Sequence, residues 1–355
     1  MTDTTAHEEH PPGGGFSPAA LPRMSPGHQL MFFPVAAAAG RAVWALAKLG
    51  VADQLTDGPR SPAELAREVG ADPDALARVL RAAAALGVFR EVPDGRFALT
   101  PPAELLRSDL PESRRDAVIL QGEDLHLLPY RDILYTLRTG EPSFERVYPL
   151  SYAQHLQVDD AAATLVRLAG ASAHRGDLGY LTSLVDLSPF PRVAELRGDG
   201  LFLSALLREH PHCLGTVTDR PEALPAVRAA LAAEGAPDRV GTVPADPFGP
   251  LPAGIPAYLL KQVLRLHQDA DALRVLGAVR EALGTADGRR LFVLERVVGG
   301  SRPDLAAVVD LEMLLLTGGR ERTGDQWRAL LHAGGFEVLA APATGAWTAF
   351  ECRPR

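Results

Sequence analysis

Residues 191–219, PRVAELRGDGLFLSALLREHPHCLGTVTD, carry an apolar run at Val193–Leu196, a glycine turn, a helix-spaced Leu/Phe/Ala stretch, a second apolar run at Leu214–Thr218, and then Asp219. That order is the plan of a site for a nucleotide-type cofactor. A glycine turn lets a ligand approach bare backbone, and an acidic residue after the second strand can receive ribose hydroxyls. The turn is sparse. Gly198 and Gly200 are its two glycines, with Arg197 before them and Asp199 between. A side chain forced into the left-handed region costs about 1–2 kcal/mol.

Short apolar runs continue beyond Asp219 at Val240–Val243, Ala257–Leu260 and Leu291–Glu295, separated by helix-length segments. This alternation predicts a parallel sheet wound by helices, with Glu337–Ala341 and Thr348–Cys352 as a closing hairpin. In such sheets ligands lie beyond the carboxyl ends of the strands. Asp219, Asp246, Lys261 and Glu295 all fall at those ends.

Upstream, residues 29–55 read as a buried helix with Trp44 and Leu46 inward. Two capped helices begin at Ser61 and Asp72, and a hairpin turns at Pro93, Asp94 and Gly95. Helix, turn, helix, hairpin is a winged-helix plan. Residues 61–99 hold five basic side chains against six acidic, and a recognition helix needs a basic surplus, so the module reads as a dimerisation unit. Residues 112–184 read as a helical connector that roofs a pocket. Its aromatic residues Tyr130, Tyr135, Phe144, Tyr148 and Tyr152 read first as core, and His126, His155 and His174 as isolated surface or core histidines. The expected organisation is a disordered tail over 1–25, a winged-helix-like domain over 26–110, the connector over 111–185 and the sheet domain over 186–355.

A net charge of −8 argues against nucleic acid as a partner. Two cysteines, Cys213 and Cys352, make no disulfide framework, and no Cys/His spacing suggests a metal. The first 25 residues lack a basic start and an apolar core, so no secretory signal is expected. The longest apolar candidate for a membrane span, Val35–Leu49, is broken by Arg41 and Lys48. A cytoplasmic protein acting on a small molecule is the expectation.

The winged-helix segment, LGTVTDRPEAL, VPADPFGPLPAG, AYLLKQVLRLHQDADALRVL and DLEMLLLTGGRERTGDQWRALLHAGGFEVL together resemble the small-molecule O-methyltransferases that use S-adenosylmethionine, in their actinobacterial polyketide-tailoring branch. The resemblance covers nearly the whole chain beyond the tail. It implies an α/β fold, a Rossmann-like class I methyltransferase sheet preceded by an α-helical winged-helix dimerisation domain, and a homodimer. It implies S-adenosylmethionine as cofactor, bound by Glu195, Arg197, Gly198, Gly200 and Asp219, with Asp246 and Phe248 beside the adenine and Lys261 nearby. It makes Glu295 and Glu321 the acidic residues that orient a catalytic histidine.

Two departures bear on the reaction. The family's loop runs Asp-x-Gly-Gly-Gly-x-Gly; here it is one residue shorter, and Arg197 has room to lie near the cofactor's methionine tail, where it is shaped to pair with a carboxylate. The family's His-Asp-Trp triplet is Arg265, Leu266, His267. Arginine keeps its proton and is no general base. His267, two places on, would lie about 200 degrees away on a helix. A guanidinium about 6 Å from a sulfonium would repel it by roughly 3 kcal/mol at an effective dielectric of about 20. The expectation is therefore a tailoring enzyme on this fold whose base-assisted methyl transfer is weakened or replaced by non-methylating chemistry such as cyclisation, rearrangement, dehydration or decarboxylation. In that chemistry Arg265, His267, Glu295 and Glu321 are the catalytic candidates. Methyl transfer to an acidic phenol or enol, and a noncatalytic ligand-binding scaffold, stay open, as does whether S-adenosylmethionine is bound.

Overall fold

Local side-chain chemistry starts the helices where the sequence places them. A computed structural model describes residues 25–355 other than 176, 237, 300–303 and 346, so all but the last residue of the expected tail over 1–25 lies outside the described residues. Ser61 and Glu64 form a reciprocal capping box at the helix Pro62–Val69, and Asp72 accepts from the Ala75 N–H at the helix Pro73–Ala85. The strands β1 (Phe89–Glu91) and β2 (Phe97–Leu99) pair antiparallel around Gly95, whose φ of 76° the turn requires. The first helix is Pro26–Leu49, closed by Gly50 in the left-handed conformation, and the chain continues as a 3-10 turn, Ala52–Leu55. The expected single helix over 29–55 is thus two elements.

The chain divides into two compact units, 25–123 and 124–355 among the described residues. In the first, Leu46, Leu65, Leu80, Phe89 and Phe97 fill one core. Leu46 is buried as expected, whereas Trp44 is half-buried, packed against Gly122 with the Arg41 guanidinium 3.9 Å over its ring. The helix Pro26–Leu49 is long and apolar enough to cross a membrane by length and composition, which the charges at Arg41 and Lys48 had been expected to prevent. Its outward side carries Leu30, Met31, Phe33 and Val35, all exposed.

The second unit begins with short helices, Asp124–Arg131, Ile133–Thr139, Phe144–Val147, Tyr152–Val158 and Asp160–Arg175. Its sheet comprises β3 (Arg192–Leu196), β4 (Leu214–Asp219), β5 (Val240–Pro244), β6 (Ala257–Lys261), β7 (Arg290–Val298), β8 (Arg322–Thr323), β9 (Phe336–Ala340), β10 (Ala343–Thr344) and β11 (Trp347–Pro354). The strand order is β5-β4-β3-β6-β7-β11-β10, with β8 against β7 and β9 against β11. The five strands β5, β4, β3, β6 and β7 run parallel, and β11 is antiparallel to β7. The expected strands are all present, and the short β8 and β10 are additional.

From β3 the chain winds outward through β4 to β5, then crosses back to place β6 on the other side of β3. That reversal opens a crevice at the carboxyl ends of β3 and β6. Central strands read as nearly continuous apolar runs because both faces are covered. In β3 the exception is Glu195, fully buried between Val217 of β4 and Leu259 of β6.

Candidate active site

The turn after β3 packs tightly enough to demand its two glycines. Gly200 has φ 79° and opens the helix Leu201–Glu209; a Cβ there would lie 2.7 Å from Leu231 Cδ2 and 3.1 Å from Val217. Gly198 covers the Glu195 carboxyl group, which a Cβ at that position would strike. Arg197 adopts φ 55°, one of two non-glycine residues at positive φ among the described residues, and its N–H donates to Thr218 O at 2.7 Å. The shortened loop is therefore stitched to β4.

Both Glu195 carboxylate oxygens are buried without a hydrogen-bond partner. Burial, reinforced by Asp199 and opposed by Lys261, pushes this carboxyl up to about 8, so it is largely protonated at neutral pH. Lys261 ends β6 with its ammonium 6.0 Å from the Trp347 ring centre. Asp219 ends β4 half-buried and accepts from the Arg220 N–H; burial raises its pKa and the nearby Arg197 guanidinium opposes that. Asp246 accepts from the Phe248 N–H at 2.9 Å, and the Phe248 ring has Arg274 4.6 Å over it and His267 at 5.2 Å, edge to face.

Burial lowers the pKa of the Arg197 guanidinium against the opposing charges of Asp219 and Asp246, which stand on the side expected for ribose and adenine. One placement differs from expectation. His267 follows a 3-10 turn, Leu264–Leu266, in extended conformation and does not lie on a helix with Arg265. It joins Phe248, and burial, helped by Arg197, brings its pKa down to about 4, leaving it neutral with Nε2 unpartnered.

Arg265 and Glu321 form an ion pair in which the Glu321 side chain is fully buried. Glu295 meets them through the backbone. Its Oε1 accepts from the Leu264 N–H at 3.0 Å and the Arg265 N–H at 3.4 Å, so it fixes the turn that aims Arg265. Burial, reinforced by Glu321, pushes Glu295 up to about 8, while burial raises Glu321 against the opposing charge of Arg265. Glu295 Oε2 and Glu321 Oε2 are buried and unpartnered. The centre is thus one ion pair beside a neutral carboxyl.

Several supports were not read from the sequence. Arg322, almost wholly buried, donates to Asp269 Oδ1 at 2.7 and 3.1 Å and to the carbonyls of Leu264, His267 and Arg320, which holds the 264–267 turn. Gly319 lies against the same turn, where a Cβ would strike Arg265 O, and Arg320 N–H donates to that oxygen at 2.8 Å. Asp310 accepts from the Glu321 N–H at 2.7 Å, and Arg296 stacks 5.1 Å over Trp347. The signal for the first two was the GGRERT element itself, in which a glycine and an arginine serve the backbone 55 residues upstream.

His126, expected to be isolated, is buried between Glu312 at Nδ1 and the Tyr152 hydroxyl, 3.0 Å from Nε2. Phe144 stacks on Tyr148 at 4.6 Å and meets Tyr152 edge on at 5.2 Å, so three of the expected aromatics form one nest with His155 beside it. Tyr130 is pushed up to about 12 by burial and by Glu312. The His174 side chain lies outside the described residues. Both cysteines are free and buried, and among the described residues no group of three or more His, Cys, Asp or Glu could hold a metal.

A parallel sheet with its switch point between β3 and β6, an acidic residue closing β4 and a charged centre after β6 and β7 defines a cofactor-using α/β enzyme. The model of the O-methyltransferase domain matches residues 130–337 and that of the O-methyltransferase dimerisation domain residues 35–109, and the chain belongs to this O-methyltransferase family as a methyltransferase-fold tailoring enzyme. It is 38% identical, over 88% of its length and 90% of the relative's, to 8-amino-8-demethylriboflavin N,N-dimethyltransferase of Streptomyces davaonensis. The crystal structure of LaPhzM is similar with a TM-score of 0.88 and 33% identity, over 94% of this chain and all of that one. The O-methyltransferase NcsB1 from neocarzinostatin biosynthesis, in complex with S-adenosylmethionine and 2-hydroxy-5-methyl naphthoic acid, is similar with a TM-score of 0.76 and 29% identity, over 89% and 96% of the two chains.

Proposed function

We propose that this protein is an S-adenosylmethionine-dependent methyltransferase that tailors a small aromatic secondary metabolite whose acceptor atom attacks without help from a histidine. The Arg265–Glu321 ion pair carries the reading, because it stands where the resemblance puts a general base and arginine gives up no proton. An aromatic amine meets that condition: the neutral nitrogen already has its lone pair, and its proton leaves after transfer. The 38% identical relative is named for dimethylation of an amino group. An acidic phenol meets it too, since Arg265 favours the ionised form of a hydroxyl placed beside it.

The crevice fits the cofactor. Gly198 brings bare backbone to the mouth of the turn, with the buried Glu195 carboxyl beneath it, and Asp219 offers a half-buried carboxylate to a ribose. When bound, the cofactor supplies an electrophilic methyl group. The protein's part is to hold acceptor and donor in line and exclude water. Glu295 orients the 264–267 turn, and Glu321 fixes the guanidinium. The exposed Leu30, Met31, Phe33 and Val35 of the helix Pro26–Leu49, in a unit whose residues 35–109 match the dimerisation domain, support a homodimer that covers them.

A second reading, non-methylating chemistry in which Arg265 polarises a carbonyl while Glu295 acts as acid, is supported by the neutral Glu295 carboxyl beside the ion pair. Incubation with tritiated-methyl S-adenosylmethionine and matched aromatic amines and phenols decides between them. The expected result is labelled product from the amine, and from the phenol at a rate that follows the phenol's own ionisation. Tight cofactor binding without labelled product would move the protein to the second reading.

A further inference from the structure

A groove separate from the cofactor crevice opens between the helices Asp269–Leu283 and Gly324–Ala333. The two meet at Gly334, where a Cβ would lie 2.7 Å from Leu276 Cδ1, and the groove lies on the side of that contact where both helices begin. Its volume is about 270 Å³, just under the roughly 300–1,000 Å³ of sites for drug-sized molecules. Leu273 and Leu330 give it an apolar floor, and Ala329 and Ala333, both exposed, keep it open where larger side chains would fill it. The other end is polar, and its charges do not balance. Buried Arg322 donates to Asp269 Oδ1 and to three carbonyls, which neutralises the Asp269 carboxylate. Arg320 also lines this end; it is exposed, and among the described residues its guanidinium has no hydrogen bond or ion pair. Gln326 gives Oε1 to the Thr323 N–H, so its amide nitrogen is left to donate.

We propose that this groove is a second small-molecule site, for a monocarboxylate with a compact apolar body of one or two rings, and that its occupant steadies the turn carrying Arg265. Charge complementarity selects the anion, because a carboxylate matches the planar fork of Arg320, whereas a neutral or cationic ligand leaves that charge unpaired. The volume and the apolar floor select the body. The coupling follows from what the polar end already holds. Arg322 donates to Leu264 O and His267 O, and the Arg320 N–H donates to Arg265 O at 2.8 Å, so a ligand seated on Arg320 and Gln326 restrains from outside the segment that fixes residues 264–267 within. None of the lining residues belongs to the cofactor crevice, so binding here does not depend on S-adenosylmethionine.

The test is methyl NMR of the full-length protein, labelled at alanine and leucine, titrated with 2-naphthoate and with 2-naphthylmethanol, which has the same body and no charge. The expected result is saturable shifts at Leu273, Ala329, Leu330 and Ala333 with the carboxylate. Binding should be about tenfold weaker or more for the alcohol, and for the carboxylate in Arg320→Gln, since each removes one charge-assisted contact. It should be lost in Ala329→Phe and Ala333→Phe, whose rings fill the groove from exposed positions without entering the core. Hydrogen exchange at residues 264–267 should slow by about threefold or more on saturation of the unaltered protein, and not in the filled variants. Shifts confined to residues outside the groove, equal affinity for the alcohol, or undiminished binding by the filled variants would overturn the site. Shifts in the groove with unchanged exchange at 264–267 would overturn its coupling to the turn.

Discussion

Replacing Glu195 by glutamine should change how stability depends on pH, and the change can be sized from the burial of this one side chain. The carboxyl is fully buried with both oxygens unpartnered and is pushed up to about 8. The unfolded chain releases this proton near the ordinary value of 4.5 while the folded chain keeps it to about 8. Between those values the folded state binds more protons, so stability falls as pH rises, by about 1.4 kcal/mol per unit. Glutamine has nearly the same shape and does not titrate. From about pH 5.5 to 7.5 the wild-type protein should therefore lose roughly 2.5 kcal/mol relative to Glu195→Gln, whatever constant offset the amide introduces. Glu295 contributes its own slope equally to both proteins and cancels. Urea unfolding at several pH values, followed by the fluorescence of the buried Trp327 and Trp347, reads the difference. Parallel stability lines, agreeing within about 0.5 kcal/mol across the range, would show that Glu195 is ionised in the folded protein and refute the reasoning.

Arg322→Lys should lower stability by about 2–4 kcal/mol, because an ammonium cannot reproduce a fork that serves Asp269 and three carbonyls. Faster hydrogen exchange confined first to residues 264–267 is the accompanying signature, and its absence would mean the turn holds itself. Arg265→Met should cost about 3–5 kcal/mol by leaving the Glu321 carboxylate buried and alone, while the double variant with Glu321→Gln recovers at least half of that. Denaturant midpoints of the four proteins check this, and additive losses would show that the pair is not coupled.

The parts of the fold that could be read from the sequence are those set by near neighbours. Ser61 and Asp72 cap their helices through N–H groups three residues on, and Gly95 turns its hairpin locally. The central strands declare themselves by continuous apolar runs, although β8 and β10, two residues each, are too short to show a period. The candidate site was legible only where a motif carried it. Asp219 closes β4 and Asp246 follows β5 much as their positions implied, whereas Glu295 lies inside β7, which runs on to Val298, and its bonds to backbone N–H groups depend on the path of a turn. His267 was misplaced because residues 264–266 were given α-helical geometry, and the observed 3-10 turn ends before it. The His126–Glu312 contact joins residues 186 apart in sequence and has no local trace.

The seating of Gly198 on the Glu195 carboxyl group makes the loop and the strand beneath it epistatic. A glutamate is one methylene longer than the aspartate of the family's loop, and here that extra length lies under a turn one residue shorter. Inserting a glycine to rebuild the longer loop would uncover the carboxyl group, and trimming Glu195 to aspartate alone would leave a void beneath Gly198. Each edit should be harmful by itself and the two together much less so, a sign that a double-mutant cycle can measure. Engineering this turn toward the ordinary family loop therefore has to proceed by paired changes.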